Sequence, residues 1–388
     1  MSGAFTFYEF FAGGGMARAG LGEGWQCLFA NDFDPGKAKA YRDNWGDDDL
    51  VEGDVWALEA SNLPGQADLA WASSPCQDFS LAGGRAGLTG NRSSAFFGFC
   101  RLLADLTKEG RGPRVVVIEN VVGLLSSHGG ADFAALCTAL AECGYWFGAL
   151  EIDAVRFVPQ SRPRVFVIAT RKEPPVSLTN VEPVAPFHTK RVIHAFDQLP
   201  SQIAARWRWW AVTPAAFSNV SLSSTLEADD KVEWFSTDRQ QRILNLLSER
   251  HQTKLKDAQA RGLRTVGTLF RRMRKEGESK VQRGELRFDG RAGCLRTPRG
   301  GSSKQFLVVV DGENIKVRSL TPREGARLMG LDEAYVLPKT KTAAFSVIGD
   351  GVVAPVVDYL RRCLLEELIS NATEPLEWQE SNQTAGAL

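Results

Sequence analysis

The chain has 388 residues, 44% hydrophobic and 24% charged, with 46 basic side chains against 46 acidic ones. That length suits two domains that need no disulfide or metal staple, and no apolar run approaches the roughly 20 residues that cross a bilayer. A formal charge of zero argues against a nucleic-acid partner until it is divided along the chain: residues 1–180 carry net −6, residues 181–341 net +11 and residues 342–388 net −5.

In chain order, short apolar runs predict strands at Thr6–Phe11, Gln26–Asn31, Ala67–Ala72, Val115–Glu119, Trp146–Ile152 and Arg164–Ala169. Helix-period segments lie between them at Met16–Gly22, Pro35–Trp45, Ser94–Lys108 and Ala131–Cys143. Such alternation predicts an α/β fold, a doubly wound and mostly parallel sheet whose ligands bind at the carboxyl ends of its strands. It ends near the proline-bearing stretch Arg171–Pro175. We therefore expect a catalytic and cofactor-binding domain over 1–178 and a smaller, irregular domain over 179–341. A C-terminal helix over 342–370 would return to the first domain, and a mobile tail over 371–388 would follow. Within the second domain, Trp207, Trp209 and Trp210 read as its core, and a helix is expected from Thr237 to His251. Lys254–Lys304 then carries 15 basic and 5 acidic residues. Its run Arg271–Lys275 reads equally as a solvated helix face or as a nucleic-acid surface. Thr321-Pro322 opens another helix, with threonine as N-cap and proline in the first turn.

The seven cysteines include no C-x-x-C pair, and the four histidines show no ligand spacing, so no metal site is expected. MSGAFTFYEF lacks the basic start of a signal peptide, which predicts a cytoplasmic protein with reduced thiols.

Chemistry concentrates at the predicted strand ends. Phe11-Ala-Gly-Gly-Gly15 leads from the first strand into a helix, where glycines allow close approach of a ligand to the backbone. Its spacing is not the G-x-G-x-x-G of dinucleotide folds. Asp32 closes the second strand, where a carboxylate suits a ribose diol, and Asp54-Val55 ends a third run. Each feature alone is ordinary turn chemistry; in this order they favour an adenosine-type cofactor. Pro75-Cys76-Gln77 follows the strand Ala67–Ala72 and opens into a loop with glycines at 83, 84, 87 and 90, the composition of a closing lid. A lone cysteine is ordinarily a small buried hydrophobe, but one at this rim is a candidate nucleophile. Glu119-Asn120-Val121 and Gln160-Ser-Arg162-Pro-Arg164 supply further polar groups at the same rim.

Phe-Ala-Gly-Gly-Gly, Pro-Cys-Gln, Glu-Asn-Val and Gln-x-Arg-x-Arg, in this order, resemble the motif series of the DNA (cytosine-5)-methyltransferases. Arg318–Glu324 and Gly349-Asp-Gly-Val352 resemble its last two members. The resemblance covers 5–172 and 318–360; the stretch between is where that family carries target recognition. It implies a Rossmann-like methyltransferase that uses S-adenosyl-L-methionine, releases S-adenosyl-L-homocysteine, needs no metal and acts on double-stranded DNA. By the same resemblance, Cys76 adds to C6 of a flipped-out cytosine, Glu119 engages ring N3, Arg164 holds O2, and Arg162 supports the loop or a phosphate. Phe11, Gly13, Gly14 and Gly15 would wrap the methionine part of the cofactor, Asp32 the ribose, and Phe33, Asp54, Val55 and Pro75 the adenine side. Asp350 stands where the family usually has asparagine.

For DNA, the resemblance and the charge pattern point to Gln77, Ser80 and Arg85 on the loop and to Arg296, Arg299, Ser302, Ser303 and Lys304. A bacterial or phage restriction–modification setting, a monomer and a cognate endonuclease encoded nearby are what the family leads one to expect. Competing readings are a tRNA cytosine-5 methyltransferase, a catalytically silent DNA-binding homologue, and a nicotinamide enzyme, which would leave Pro75-Cys76 without a role.

Overall fold

The computed structural model describes residues 5–74, 95–277, 279–297 and 304–373. A seven-stranded sheet contains β1 (Phe5–Phe10), β2 (Trp25–Asp32), β3 (Leu50–Glu52), β4 (Leu69–Ala72), β5 (Val115–Val121), β6 (Trp146–Asp153) and β7 (Pro163–Thr170), in the spatial order β3-β2-β1-β4-β5-β7-β6. All neighbours are parallel except at β7, which runs antiparallel to both β5 and β6. The strands are apolar on both faces, as a sheet covered on both sides requires. Val115, Val117, Leu69 and Trp71 join one core cluster, and Val116, Ile118, Ala70 and Ala72 the other. The antiparallel β7 has a consequence for the site. It brings the start of that strand, Arg164, beside the end of β5, with Val121 opposite Arg164.

The helices at Met16–Leu21, Pro35–Trp45, Ala95–Lys108 and Ala131–Glu142 stand where periodicity puts them. Asp34 caps the second by accepting from Gly36 N and Lys37 N, with Pro35 in its first turn.

The +11 segment divides differently from the expected domain. Its first part covers the large sheet: a small ladder of β8 (Thr179–Asn180) and β9 (Trp209–Trp210) lies beside β6, and Phe147 N donates to Arg206 O. Trp207 and Trp209 pack with Phe147 and Phe133, and Trp210 joins the opposite cluster. The tryptophans are thus core of the large sheet, not of the smaller unit. Gly148 makes room for them; a Cβ there would sit 1.9 Å from Arg208 O.

A second sheet holds β10 (Thr265–Glu276), β11 (Ser279–Arg287), β12 (Gln305–Asp311) and β13 (Asn314–Ser319), in the order β11-β10-β12-β13. Along β12 the period of two is plain. Phe306, Val308 and Val310 face a cluster with Ile243, Leu247 and Leu255, while Leu307 faces the main core. The expected helix 237–251 is two helices, Thr237–Leu244 and Glu249–Ala260. The chain leaves the first so that Leu246 O can accept from Gly284 N at 2.8 Å, which plugs Leu247 into the sheet's core. The charge run Arg271–Lys275 is strand, not helix.

At the C-terminal side, Lys341–Asp350 and Ala354–Leu360 are separate helices, the latter continuing through Arg361–Leu365 into Glu366–Thr373. The single helix expected over 342–370 is thus broken at residues 351–353. The segment 341–372 is apolar enough by composition to cross a bilayer, yet 61% of its most apolar window is buried inside the molecule. Val356, Val357, Leu360 and Leu364 pack in the cluster that holds Met16, Ala17 and Leu21.

Between the two sheets, Arg318 and Glu324 form a buried pair. Both Arg318 Nη atoms reach Glu324, at 2.8 and 2.5 Å, and Glu324 also accepts from Thr321 N and Glu227 N at 2.9 Å. Glu324 is 0% exposed. Removing one partner of a buried pair strands the other charge, which costs about 3–5 kcal/mol. Glu324→Ala is therefore expected to lower unfolding stability by about that amount in urea titrations; a loss below about 1 kcal/mol contradicts this role.

Candidate active site

The site is built at the carboxyl edge of β1, β2, β4 and β5. After β1 the backbone turns through Phe11 at φ 56°, Gly13 at 58° and Gly15 at 75°. This left-handed region is strained for phenylalanine, and strain of that kind gathers at functional sites. The turn is clasped from behind. Gly14 O accepts from Tyr335 Oη at 2.7 Å and Trp45 Nε1 at 3.1 Å. A Cβ on Gly14 would lie 2.2 Å from that hydroxyl, so the cradle requires glycine there.

Asp32 ends β2 nearly buried. Its Oδ2 accepts from Gly13 N and its Oδ1 from Asp34 N, both at 2.8 Å. Burial raises its pKa, against these hydrogen bonds and the Lys37 charge. The ring of Phe33, by contrast, is 73% exposed, an open aromatic plate beside that carboxylate. Asp54 accepts from Trp56 N at 2.9 Å. Val55 is buried against Gly98, so any ligand contact it makes is through its backbone.

At the end of β5, Glu119 is buried and its Oε1 lies 2.9 Å from Arg164 Nε. The next residue faces the other way. Asn120 Nδ2 donates to Ser74 O at 3.0 Å and Ser74 Oγ at 3.1 Å. Asn120 thereby fixes the end of the strand that leads to the candidate nucleophile. Cys76 itself, with Pro75, Gln77, Ser80 and Arg85, lies outside the described residues, as do Arg299, Ser302 and Ser303. Elsewhere burial raises the thiols of Cys27 to about 12 and of Cys143 and Cys363 to about 11. Those cysteines stay protonated and unreactive.

Arg162 is 1% exposed. Its guanidinium donates to Leu295 O at 2.7 Å and to Gly349 O and Gly351 O at 2.8 Å, and burial lowers its pKa to about 10. Of the two tasks expected of it, holding chain and holding a phosphate, this geometry leaves the first. Two residues earlier, Gln160 is fully buried and spans Leu328 O and Leu295 N at 2.8 and 3.0 Å. Gln160, Asn120, Tyr335 and Trp45 are site-building residues that sequence reasoning did not single out. The first two stand inside quoted motifs, so position alone offered a signal.

Asp350 has both carboxylate oxygens engaged, one with Lys37 Nζ at 2.7 Å and the other with Thr297 Oγ1. A cofactor contact there would share an oxygen already in use. Arg296 and Lys304 are exposed, flanking residues 298–303.

Comparison with known proteins places this geometry. The family model for C-5 cytosine-specific DNA methylase matches residues 5–366, and the chain belongs to that family. It is similar to the type II methyltransferase M.HpaII of Haemophilus parainfluenzae, 27% identical over 385 residues, covering 94% of this chain and 90% of that one. It is also similar to M.HhaI of Haemophilus parahaemolyticus, 25% identical over 356 residues and covering 91% and 92%. The Dnmt2 methyltransferase of S. pombe shares the fold at TM-score 0.59 and 19% identity, covering 94% of this chain and 99% of that one. The chain is thus a DNA (cytosine-5)-methyltransferase.

One buried group under the glycine turn is outside that assignment. Glu9 on β1 is 2% exposed, and desolvation raises its pKa to about 8, against the nearby Arg18 charge. The folded state therefore keeps a proton that the unfolded chain releases near pH 4.5. Over that window the native state binds more protons, so stability falls as pH rises toward 8. Urea midpoints taken at intervals from pH 5 to pH 8 should decline in the wild type and decline less in Glu9→Gln. Parallel curves for the two proteins contradict the assignment.

Proposed function

We propose that this chain transfers a methyl group from S-adenosyl-L-methionine to C5 of a cytosine flipped out of duplex DNA, through a covalent bond between Cys76 and ring C6. The observation that carries the reading is the ion pair of Glu119 and Arg164 beside Asn120, which holds Ser74, two residues before Cys76. A cytosine C5 is a poor nucleophile, and thiolate addition at C6 turns it into an enamine-like carbanion equivalent. An ordinary thiol is only about 3% ionised at pH 7, so the loop environment or deprotonation during attack must supply the thiolate. Glu119 engages N3 and draws charge from the ring as sulfur adds. Arg164, held by the same carboxylate, steadies O2. Once C5 carries the transferred methyl, a base such as water takes the C5 proton, and the electron pair left behind restores the C5–C6 double bond and expels the Cys76 thiolate.

The cofactor cradle fits an adenosyl sulfonium. The glycine turn, the Asp32 carboxylate and the exposed Phe33 ring supply backbone, ribose and adenine partners, with Asp54 at the rim. When bound, the cofactor supplies an electrophilic methyl; the protein's part is to hold it against the ring and exclude water. Type II methyltransferases among the relatives support a restriction–modification setting with an endonuclease counterpart.

For the duplex, β10 pairs with β12 only from Thr265 to Phe270 but with β11 on to Glu276. Beyond Phe270 a two-stranded ribbon therefore projects from the sheet, carrying Arg271, Arg272, Arg274, Lys275, Lys280 and Arg283. Arg272 lies opposite Arg283, and Lys275 opposite Lys280. Like charges placed opposite each other destabilise a ladder, and a polyanion relieves them. The major groove admits such a ribbon.

Three experiments test this reading. Expressed in a host without cytosine methylation, the wild type should leave a methylated motif in bisulfite-sequenced DNA, and Cys76→Ser should leave none. Glu119→Gln should lower kcat by about 100-fold or more. Unmethylated DNA with methylated tRNA would move the substrate to RNA, and methylation by Cys76→Ser would remove the covalent step. For the ribbon, replacing Arg272, Arg274, Lys275 and Arg283 by glutamine should flatten the dependence of log K on log salt by about 0.9 for each phosphate no longer neutralised. An unchanged slope places the DNA elsewhere.

A further inference from the structure

The helix Lys341–Asp350 ends against the start of the helix Pro35–Trp45, and the charges at this junction are placed against their own helices. Asp350 is the last residue of the first helix, at the negative end of its dipole, and Lys37 lies in the first turn of the second, at the positive end. Each is unfavourable where it stands alone. Paired at 2.7 Å, each faces the opposite end of the neighbouring helix and the placement becomes favourable. The second carboxylate oxygen of Asp350 accepts from Thr297 Oγ1. The backbone agrees with this closeness, since a Cβ on Gly349 would lie 2.3 Å from Thr297 N.

The two partners belong to different ligand sites. Lys37 N donates to Asp34 Oδ1 at 3.1 Å, and Asp34 N to Asp32 Oδ1 at 2.8 Å, so two hydrogen bonds through Asp34 link Lys37 to the ribose carboxylate. Thr297 follows exposed Arg296 in the stretch that Arg162 fixes through Leu295 O. We propose that Asp350 is a positioning residue that joins Lys37, on the cofactor side, to Thr297, on the DNA side, and so makes cofactor binding and duplex binding depend on each other. The inference rests on the methyltransferase reading above and adds the residue that links its two sites. An asparagine here would keep the bond to Thr297 and lose the charge pairing with Lys37.

The test cuts each arm separately. Duplex affinity is measured with and without S-adenosyl-L-homocysteine, on a short duplex bearing the methylated motif, for the wild type, Lys37→Met and Thr297→Val; melting temperatures check that both variants fold. The wild type should bind the duplex more tightly with the cofactor product present. Each variant should lower that enhancement by about threefold, while Thr297→Val leaves affinity for S-adenosyl-L-homocysteine alone within about twofold. A purely structural role would shift the duplex affinity equally with and without cofactor, leaving the ratio at its wild-type value. That outcome overturns the proposal, as does a wild type that binds both ligands with no enhancement. Binding of neither ligand overturns the methyltransferase reading together with it.

Discussion

The guanidinium of Arg162 is the interaction on which the site's assembly depends. Three backbone carbonyls from two distant stretches, Leu295 and the pair Gly349 and Gly351, converge on one buried cation. A buried cation without such acceptors would be strongly destabilising, so the chain is held to a single arrangement at this point. Gln160 repeats the device two residues earlier by bonding Leu295 N and Leu328 O. Arg164, two residues further on and inside β7, meets Glu119. The polar residues of this motif thus divide into two that bond backbone and one that pairs with a carboxylate.

The antiparallel strand β7 makes that division possible. In an all-parallel sheet only strand ends reach the ligand edge, and a motif of alternating arginines would have to follow a strand. Here the motif precedes β7, whose reversal carries its beginning to the same edge as the ends of β4 and β5. The hairpin β6–β7 is therefore part of the site's construction.

Much of this was legible in the residues. Val115–Ile118 announces a strand, and the Thr321-Pro322 cap announces a helix, because burial and local hydrogen bonding decide both. What escaped reading was decided by partners far off in sequence. The break at Leu246–Leu247 depends on Gly284, and the tryptophans of 207–210 depend on the bare edge of β6 and on Gly148. Arg271–Lys275 has no apolar period, so nothing local separates a solvated helix from a projecting ribbon. Its pairing with 280–284 settles the matter. For Arg162 the residues left two tasks open, supporting the loop or holding a phosphate, and its acceptors Leu295 O, Gly349 O and Gly351 O, all remote in sequence, favour the first.

The uneven charge along the chain then has a structural cause. The acidic part surrounds the glycine turn, and the carboxylates there are spent on backbone: Asp32 on Gly13 and Asp34, and Asp54 on Trp56. The ribbon is built in the opposite way, with cations facing cations across a ladder and Glu285 reaching Arg272 and Arg274. Those two ion pairs, hydration and salt offset part of the repulsion. Neutrality of the whole is then the sum of an acidic part whose carboxylates cap backbone and a basic part whose cations crowd one ladder, not an even spread of charge.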